Sequence, residues 1–470
     1  MLEPLLRGNF AHLQSVYDRF PSSARNLLTS ARGLVLTRIR HAPETYAIFR
    51  SLREHESWNE ADIAAFQLRA LQQVLDESRR TVPFYRDYPR VQIRTLDDLR
   101  RFPVLTRETV RENHQKLLSS ATPAHGRILA GTTGTTGANL KIAYTEDLAR
   151  ENWAFTLRQW AWAGVAPREP RVTFFGARIV PPKRTSPPFW THNLPERQLL
   201  MSIFHLSEDN APAYLDFLRT QAGRVLEGFP SVLSILADFA LQLGDRIPMR
   251  AVFTTGEPLY PAVREKIETV FGARVFDHYG MTEYCGLIQQ CERGRMHLAM
   301  EYGFLEILDG DNEPVGPEED GYFVWTGFLN RAMPLIRYRI GDRGRWQTGG
   351  RCACGRAFPM VVPTITRESD ILRCPDGRLF SPRALNQLLK QASSLRFCQI
   401  VHDQADRVVV RAVPGNGDAT KDISKICARL QELLGPGMQV TTTITAEPVA
   451  RPGGKIPLIV NQVPKWMRNA

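Results

Sequence analysis

A run of glycine and threonine stands at residues 131–137, where the sequence reads GTTGTTG. Helices and strands both disfavour such a run, so it is predicted to be a loop. Glycines let successive backbone N–H groups point into one concavity, and threonine hydroxyls add donors, which suits phosphate oxygens. The run lacks the Gly-Lys-Ser/Thr ending of a Walker A loop and is not the dinucleotide GxGxxG pattern. A turn that merely joins two strands is the alternative interpretation.

Three other short turns carry charged groups that phosphate chemistry could use. They read YGMTE at residues 279–283, YRIGD at 338–342 and RPGGK at 451–455. With the loop they offer a phosphate cradle, a carboxylate for a metal ion, a carboxylate for ribose hydroxyls and a lysine for phosphoryl charge. Taken singly, Asp342 is typical of a turn and Lys455 of a solvated surface, so the interpretation depends on the whole set.

Four potential soft metal ligands lie near two of these turns. Cys291 and His297 are separated by five residues, and Cys352 and Cys354 by one. Three sulfurs and one imidazole suit a closed tetrahedral zinc site, and glycines beside both pairs allow tight turns around a metal. Structural zinc is therefore expected. Four reduced side chains on adjacent loops are the alternative.

The remaining cysteines receive other interpretations. Seven cysteines are an odd number, and no disulfide framework is expected. Cys285 could replace one of the zinc ligands, but its neighbours YCGLI favour packing near a substrate pocket. Cys374, Cys398 and Cys427 are interpreted as small core residues.

The elements that must position these residues follow from the apolar pattern. From about residue 125, apolar runs such as RVTFFGARIV, GRVLEGFPS, RAVFTTGE and ARVFDHYG alternate with helical stretches. This alternation predicts an α/β architecture with a largely parallel sheet. Residues 300–348 are richer in strand patterns and predict a β-rich subdomain. Residues 1–120 are mainly helical, most clearly over Asp62–Ser78.

A smaller α+β unit is predicted at the end of the sequence. ILRCPDGRLF resembles a hairpin across Pro-Asp-Gly, and RFCQIVHDQADRVVVRAV reads as two strands joined by a polar turn. Residues 382–392 and 418–434 are predicted to be helices, and MQVTTTITA a final strand. The predicted division is therefore a helical extension at 1–80, a large domain at 81–366 and a small domain at 367–470.

The charge distribution and the hydropathy pattern limit the kinds of partner and the location expected for this protein. The formal charge is +11, but basic residues are scattered among acids, without long basic runs or a nucleic-acid-binding motif. Polyanionic small ligands are therefore favoured over nucleic acid. No apolar stretch approaches the roughly 18–20 residues that span a bilayer. The first residues lack the basic-then-apolar order of a signal peptide, so a cytoplasmic location is expected.

One basic and apolar stretch, Ala24–Arg40, has roughly helical spacing. It could lie on a membrane surface. The favoured interpretation is a helix that packs on the domain with solvated arginines, so membrane association is not the leading expectation.

The ordered set of motifs resembles the adenylate-forming superfamily of acyl-CoA synthetases, luciferases and peptide-synthetase adenylation domains. Within it the chain is most similar to the phenylacetate–CoA ligase-like branch. The likeness covers roughly residues 80–460 and includes VPFYRDYP, RFPVLTRETVREN, LEGFPSVLSILA, VFTTGEPLYPAVREKIETVFGARVFDHYGMTE and RPGGK. Residues 1–80 match less clearly. The resemblance implies a large ATP- and acyl-binding domain with mixed sheets, followed by a small mobile domain.

The resemblance implies roles for residues that match the family motifs. The ATP phosphates would be wrapped by Thr132, Thr133, Gly134, Thr135, Thr136 and Gly137. The adenine pocket would be lined by Gly256, Glu257, Pro258, Asp277, His278 and Tyr279, with Tyr279 stacked on the base. Thr282 would contact the α-phosphate, and Glu283 would hold Mg²⁺. Asp342 would bind the ribose hydroxyls, with Arg367 nearby. Lys455 would bridge the substrate carboxylate and the α-phosphate.

The resemblance also implies a hinge and shows one departure. Rotation of the small domain about Asp370 would withdraw Lys455 after adenylation and open a tunnel for coenzyme A; an ordinary turn at Asp370 is the alternative. The family loop usually continues Gly-x-Pro, whereas Gly137 is followed by Ala138 and Asn139. Because proline fixes φ, its absence is expected to loosen the exit of the loop.

The acid to be activated follows least directly from the sequence. The acyl pocket is expected around Phe229, Pro230, Ser231, Gly280, Tyr284 and Cys285. Such lining favours an aryl or apolar acid. The leading hypothesis is an ATP-dependent acid–CoA ligase, with a homodimer as the candidate oligomeric state. Two alternatives stay open: transfer of the acyl group to a carrier-protein thiol, an amine or a sugar, and a non-catalytic nucleotide-binding scaffold.

Overall fold

The central sheet is built from the alternating strands and helices in the middle of the chain. This computed structural model describes residues 17–131, 140–177, 179–181, 184–364, 372–375, 379–380, 394–415, 418–449 and 456–463. The helices are α1 (Ser22–Arg40), α2 (Pro43–Glu54), α3 (Glu60–Thr81), α4 (Arg107–Glu112), α5 (Glu146–Trp162), α6 (Ala211–Arg219), α7 (Pro230–Gln242), α8 (Pro261–Phe271) and α9 (Ala419–Leu434), with short 3-10 turns at His55–Ser57, Pro83–Tyr85, Leu96–Arg101 and Ala124–Gly126.

The strands group into several sheets. They are β1 (Ile128–Gly131), β2 (Lys141–Tyr144), β3 (Arg171–Phe174), β4 (Trp190–Asn193), β5 (Gln198–Met201), β6 (Val225–Gly228), β7 (Ala251–Thr255), β8 (Val275–Gly280), β9 (Leu287–Gln290), β10 (Met296–Leu298), β11 (Gly303–Leu308), β12 (Gly321–Gly327), β13 (Tyr338–Trp346), β14 (Val361–Pro363), β15 (Leu372–Arg373), β16 (Leu379–Phe380), β17 (Leu395–Gln404), β18 (Arg407–Pro414), β19 (Gln439–Ile444) and β20 (Ile459–Asn461). The predicted α/β class with mixed sheets is confirmed.

The largest sheet has the order β10-β9-β8-β7-β6-β3-β5-β4. Strands β5, β3, β6, β7 and β8 run parallel, while β4, β9 and β10 pair antiparallel. Every residue of β7 is buried, as expected for a strand with helices over both faces. The four apolar runs predicted as buried strands are β3, β6, β7 and β8.

Two smaller sheets follow. Strands β11, β12, β13 and β14 form an antiparallel sheet, which is the predicted β-rich subdomain. Further on, β19-β18-β17-β20 form a mixed sheet, and α9 packs on it through its apolar side. The predicted hairpin across Pro-Asp-Gly pairs β15 with β16. The helix predicted at 382–392 lies outside the described residues, and the domain boundaries near 80 and 366 stay predictions.

Helix α1 is anchored to the edge of the large sheet through a buried ion cluster. Arg40 Nη1 lies 2.5 Å from Glu196 Oε2, and Arg171 Nη2 lies 2.7 Å from the same oxygen. Burial alone would raise the pKa of Glu196, but the two arginines outweigh it and lower that pKa to about 2. Glu196 therefore stays charged. It belongs to the hairpin of β4 and β5, which the sequence did not predict.

Candidate active site

The residues expected to bind nucleotide lie in or just after β6, β7 and β8, toward the carboxyl ends of these strands of the large sheet. Because β6, β7 and β8 are parallel and in register, with Gly228 opposite Thr254 and Thr255 opposite His278, their carboxyl ends lie side by side. Ligands of open α/β sheets bind at this edge, where the loops that follow the strands converge. The expected acyl-pocket, adenine-pocket and metal residues of these three loops therefore share one location.

Glu257 connects two parts of the chain at this edge. Its Oε2 accepts a hydrogen bond of 3.0 Å from the backbone N–H of Ser231, in the first turn of α7. Its Oε1 accepts one of 3.0 Å from the backbone N–H of Ile456, the residue after Lys455. A carboxylate is favoured at a helix N-terminus, where backbone N–H groups are unsatisfied. The carboxylate expected beside adenine thus also binds the segment that carries the expected catalytic lysine.

Tyr279 and Asp342 meet between the large sheet and the antiparallel sheet. The Tyr279 hydroxyl donates a hydrogen bond of 2.7 Å to Asp342 Oδ2, and both residues are buried. The Tyr279 ring packs edge-on to Phe323, with centroids 5.6 Å apart, and nearly parallel to Trp325 at 6.2 Å. The expected adenine-stacking and ribose-binding residues are therefore direct partners, and the ring expected to stack on a base is packed against two aromatic residues.

Glu283 has a partner that sequence reasoning missed. The Tyr338 hydroxyl donates a hydrogen bond of 3.1 Å to Glu283 Oε1. Burial, strengthened by the neighbouring charge of Glu283, holds the pKa of Tyr338 well above its usual value, so the hydroxyl remains a donor. Tyr338 is the first residue of YRIGD, so the motif contained the signal, although only Asp342 was singled out. Thr282 is half-buried beside Glu283.

Asp277 and His278 lie in the middle of β8 in different environments. The Thr254 hydroxyl donates a hydrogen bond of 2.7 Å to Asp277 Oδ1, and burial raises the pKa of Asp277 to about 6. Burial lowers the pKa of His278 to about 3, so its ring is neutral at neutral pH. Both ring nitrogens of His278 are buried and have no hydrogen-bond partner among the described residues. Because such orphaned nitrogens are costly, they fit a ligand that supplies a donor or an acceptor.

Three of the residues expected around the acyl pocket are buried against different neighbours. Phe229 is the N-cap residue of α7 and lies edge-on to Phe175, with centroids 5.1 Å apart. Tyr284 packs against Tyr144 in the hydrophobic core, with centroids 5.2 Å apart. Cys285 is buried in another core cluster, its Sγ 3.2 Å from Met281 Sδ. The group of four converging potential metal ligands does not include Cys285.

Cys291, His297, Cys352 and Cys354 converge as predicted from their spacing. Their potential ligand atoms all lie within 4.8 Å of one another. Cys354 Sγ lies 3.4 Å from His297 Nε2, and Cys291 Sγ lies 3.8 Å from Cys352 Sγ. Three sulfurs and one imidazole at such distances make up the donor set of a tetrahedral site.

The backbone around this cluster forms two similar turns. Gly294 N–H donates to Cys291 O at 2.9 Å, and Gly355 N–H donates to Cys352 O at 3.0 Å. Both glycines have φ above +80°, a conformation that other residues rarely adopt. Inside each turn a backbone N–H also approaches a sulfur, that of Arg293 at 3.3 Å from Cys291 Sγ. Such N–H groups favour the thiolate form.

The histidine of the cluster is oriented by its second nitrogen. Nδ1 of His297 lies 2.9 Å from the carbonyl oxygen of Phe358, which requires Nδ1 to carry the proton. Nε2 then has a free lone pair and lies toward Cys354 Sγ. Metal-binding histidines are typically fixed by this kind of hydrogen bond. Burial raises the pKa of Cys291 to about 12, so a bound cation would have to displace its proton.

Several expected site residues lie outside the described part of the chain. They are Thr132, Thr133, Gly134, Thr135, Thr136, Gly137, Arg367, Asp370 and Lys455. The strands on either side of the Gly/Thr loop are described: β1 and β2 pair antiparallel, with Gly131 opposite Lys141. The predicted loop therefore connects two strands of a hairpin, and the predicted strand before it is confirmed.

The chain has the fold of the adenylate-forming ligases: it superposes on a 2-hydroxyisobutyryl-CoA ligase, solved in its postadenylation state, with a TM-score of 0.68 and 19% identity, covering 87% of this chain and 91% of that one. Residues 198–328 match the AMP-binding enzyme family. The resemblance to the adenylate-forming superfamily is confirmed.

Two curated relatives align over much of the chain. Protein CapK of Staphylococcus aureus is 23% identical over 465 residues, which are 96% of this chain and 100% of that protein. A phenylacetate-coenzyme A ligase of Thermus thermophilus is 24% identical over 333 residues, which are 68% of this chain and 73% of that protein. The alignment with CapK includes most of the N-terminal region that the motif resemblance left out.

Proposed function

We propose that this protein activates a carboxylic acid with ATP and passes the acyl group to coenzyme A. The acid oxygen would attack the α-phosphorus of ATP, and the bond from that phosphorus to pyrophosphate would break. The acyl-adenylate would then react with the thiol of coenzyme A and release AMP. The observation that carries this proposal is a set of three hydrogen bonds made by residues in or just after β7 and β8: Tyr279 to Asp342, Tyr338 to Glu283 and Ile456 to Glu257.

The described side chains suit the nucleotide in three ways. Asp342, held by Tyr279, would accept hydrogen bonds from the ribose hydroxyls. The orphaned ring nitrogens of His278 would meet the base or its sugar. Gly256, Glu257 and Pro258 follow β7 and would form the wall of the nucleotide pocket between Asp342 and His278. These assignments extend the family resemblance and are proposals for this chain.

Glu283 would hold the magnesium that accompanies ATP. It is a buried carboxylate, and oxygen ligands of this type suit Mg²⁺. Mg²⁺ bound there would screen phosphate charge and steady the leaving pyrophosphate. Tyr338 would keep the carboxylate oriented through its hydrogen bond, and Thr282 would donate to the α-phosphate. The loop at 132–137 would wrap the remaining phosphate oxygens with its N–H groups and hydroxyls.

The hydrogen bond between Glu257 and Ile456 supports a role for Lys455 in the first half-reaction. It brings the residue next to Lys455 to the edge of the large sheet. A lysine there would offset the repulsion between two anions, the substrate carboxylate and the α-phosphate. We further propose that the small domain turns about Asp370 to withdraw Lys455, so that coenzyme A can reach the adenylate.

We also propose that the Cys291, His297, Cys352 and Cys354 cluster holds a structural zinc ion. The donor set, the two glycine turns and the orientation of His297 all fit a closed tetrahedral site. With four protein ligands no position is left for substrate, so zinc would stabilise the loops between β9 and β14 and take no part in the chemistry.

The decisive test is acid-dependent ATP–pyrophosphate exchange over a panel of aryl, hydroxy, amino and fatty acids. Exchange should appear with one class of acid, and Lys455→Ala should reduce it by about 10²–10³, as for loss of one oriented charge in a dry site. Release of AMP should then depend on coenzyme A. Release that depends instead on an amine, a sugar or a carrier protein would refute the acceptor, and ATP binding without exchange under any acid would refute the activity.

A further inference from the structure

The outward side of helix α1 presents a continuous apolar stripe. Leu27, Leu28, Leu34 and Val35 are 72%, 43%, 56% and 57% exposed. Their spacing of seven residues, 27 to 34 and 28 to 35, places them along one side of the helix. Exposed leucines are common singly, but a contiguous row on one helix marks an interaction surface.

A neighbouring hairpin extends this stripe. Leu194, between β4 and β5, is 72% exposed, and its backbone N–H donates a hydrogen bond of 3.2 Å to Ser30 Oγ on α1. The hairpin tip therefore lies beside the middle of the helix. The apolar face, defined here as Leu27, Leu28, Leu34, Val35 and Leu194, thus comes from two elements.

The opposite side of α1 is fixed to the protein, so the face is a rigid platform. Arg40 reaches the buried Glu196, and Thr37 Oγ1 donates a hydrogen bond of 2.8 Å to the same residue. Gly33 packs so closely on Asn193 that an added Cβ would lie 1.8 Å from its Oδ1. The stripe therefore points outward in a fixed direction, and the helix cannot turn it inward without breaking these contacts.

Basic residues border the face. Helix α1 has no acidic residue; two of its four arginines, Arg25 and Arg40, are buried, and Arg38 is exposed in its last turn. Arg19, before the helix, and Arg197, in the hairpin, are also exposed. The nearest acidic residues along the chain, Asp18 and Glu44, lie beyond the ends of the helix. In the described part of the chain, no helix is both long enough and apolar enough to cross a bilayer.

We propose that this face docks on the surface of an anionic membrane. Leucine and valine would enter the boundary between headgroups and acyl chains, while the bordering arginines contact lipid phosphates. A second copy of this chain is a poorer occupant, because a two-fold interface would place Arg38 and its neighbours opposite the same basic surface. The proposal is independent of the acid and of the acceptor in the reaction.

The test is flotation of the full chain with lipid vesicles. Vesicles of phosphatidylcholine with phosphatidylglycerol should carry the protein up the gradient, and phosphatidylcholine alone should carry much less. The double variant Leu27→Gln, Leu34→Gln should weaken binding at least about tenfold, since each leucine loses part of its transfer free energy. High salt should also weaken binding by screening the arginines.

A matched control is available on another helix. Leu241 and Leu243, at the end of α7, are 44% and 56% exposed, and Leu241→Gln, Leu243→Gln should bind vesicles like the unchanged chain. Melting temperatures check that all variants fold. The proposal is overturned if the unchanged chain does not float, if both double variants lose binding equally, or if the face mediates self-association and the vesicles capture nothing.

Discussion

The contact between Glu257 and Ile456 gives the sharpest test of how the two parts of the chain cooperate. Glu257 accepts hydrogen bonds of 3.0 Å from the N–H groups of both Ser231 and Ile456, one on each carboxylate oxygen. Glu257→Gln preserves the shape of the side chain but replaces one oxygen by an amide NH₂. A donor then faces a donor, so one of the two bonds is lost along with the negative charge.

The size of the effect follows from that loss. A hydrogen bond to a charged group contributes about 1.5–3 kcal/mol, which corresponds to roughly 10- to 150-fold in an equilibrium. If the bond to Ile456 is the one lost, the population with Lys455 held at the site falls by this factor. Adenylation should fall in proportion, whereas thioester formation from a supplied acyl-adenylate should stay within about twofold.

Two assays separate these half-reactions. ATP–pyrophosphate exchange reports adenylation, and the appearance of acyl-CoA from synthetic acyl-adenylate reports transfer. Glu265→Gln, on the exposed side of the adjacent helix α8, is the matched control and should change neither rate. Equal losses in both half-reactions would mean that Glu257 supports α7 or the nucleotide pocket and does not act through Lys455, and unchanged exchange would mean that the contact does not position Lys455. Either result refutes the reasoning.

Two further predictions concern stability. Chelation, or Cys352→Ser, should lower the melting temperature and release bound zinc measured by elemental analysis; unchanged stability in a metal-free protein would end the zinc proposal. Glu196 has a folded pKa of about 2 against an ordinary 4.5, so its contribution is present above about pH 4.5 and lost as the pH falls toward 2. That difference in pKa corresponds to about 3 kcal/mol. Glu196→Gln should remove this acid-dependent part of the free energy of unfolding, measured by denaturant titration between pH 3 and 7. An unchanged pH dependence would contradict the assignment of this effect to Glu196.

Much of the fold could be predicted from the sequence, because its signals are local. Helix α9 was predicted at 418–434 and is found at Ala419–Leu434, with Asp418 accepting a hydrogen bond from Thr420 N–H as its N-cap. Strands β3, β6, β7 and β8 were predicted from apolar runs bounded by turns. The hairpin of β4 and β5 was missed, since WTHNLPERQLLM mixes polar and apolar residues without a clear period.

For the candidate site as well, some residues could be predicted from the sequence and others could not. Motif spacing identified Asp342, Glu283 and the four potential zinc ligands, and the last four do converge. The partners Tyr338 and Ile456 were not predicted, because each lies far along the chain from the group it contacts. Helix α1 was expected either to pack on the domain or to lie on a membrane. It packs through one side and leaves an apolar stripe on the other.

By itself, the sequence determined the class of protein, the order of its strands and helices and the residue types available for phosphate and metal chemistry. These properties depend on short patterns, which glycine, capping residues and apolar periodicity express directly. Only the tertiary structure decided which carboxylate meets which hydroxyl, that Glu257 joins α7 to the segment after Lys455, and which side of α1 remains exposed. Such contacts depend on packing between distant segments, and a short stretch of sequence does not specify that geometry.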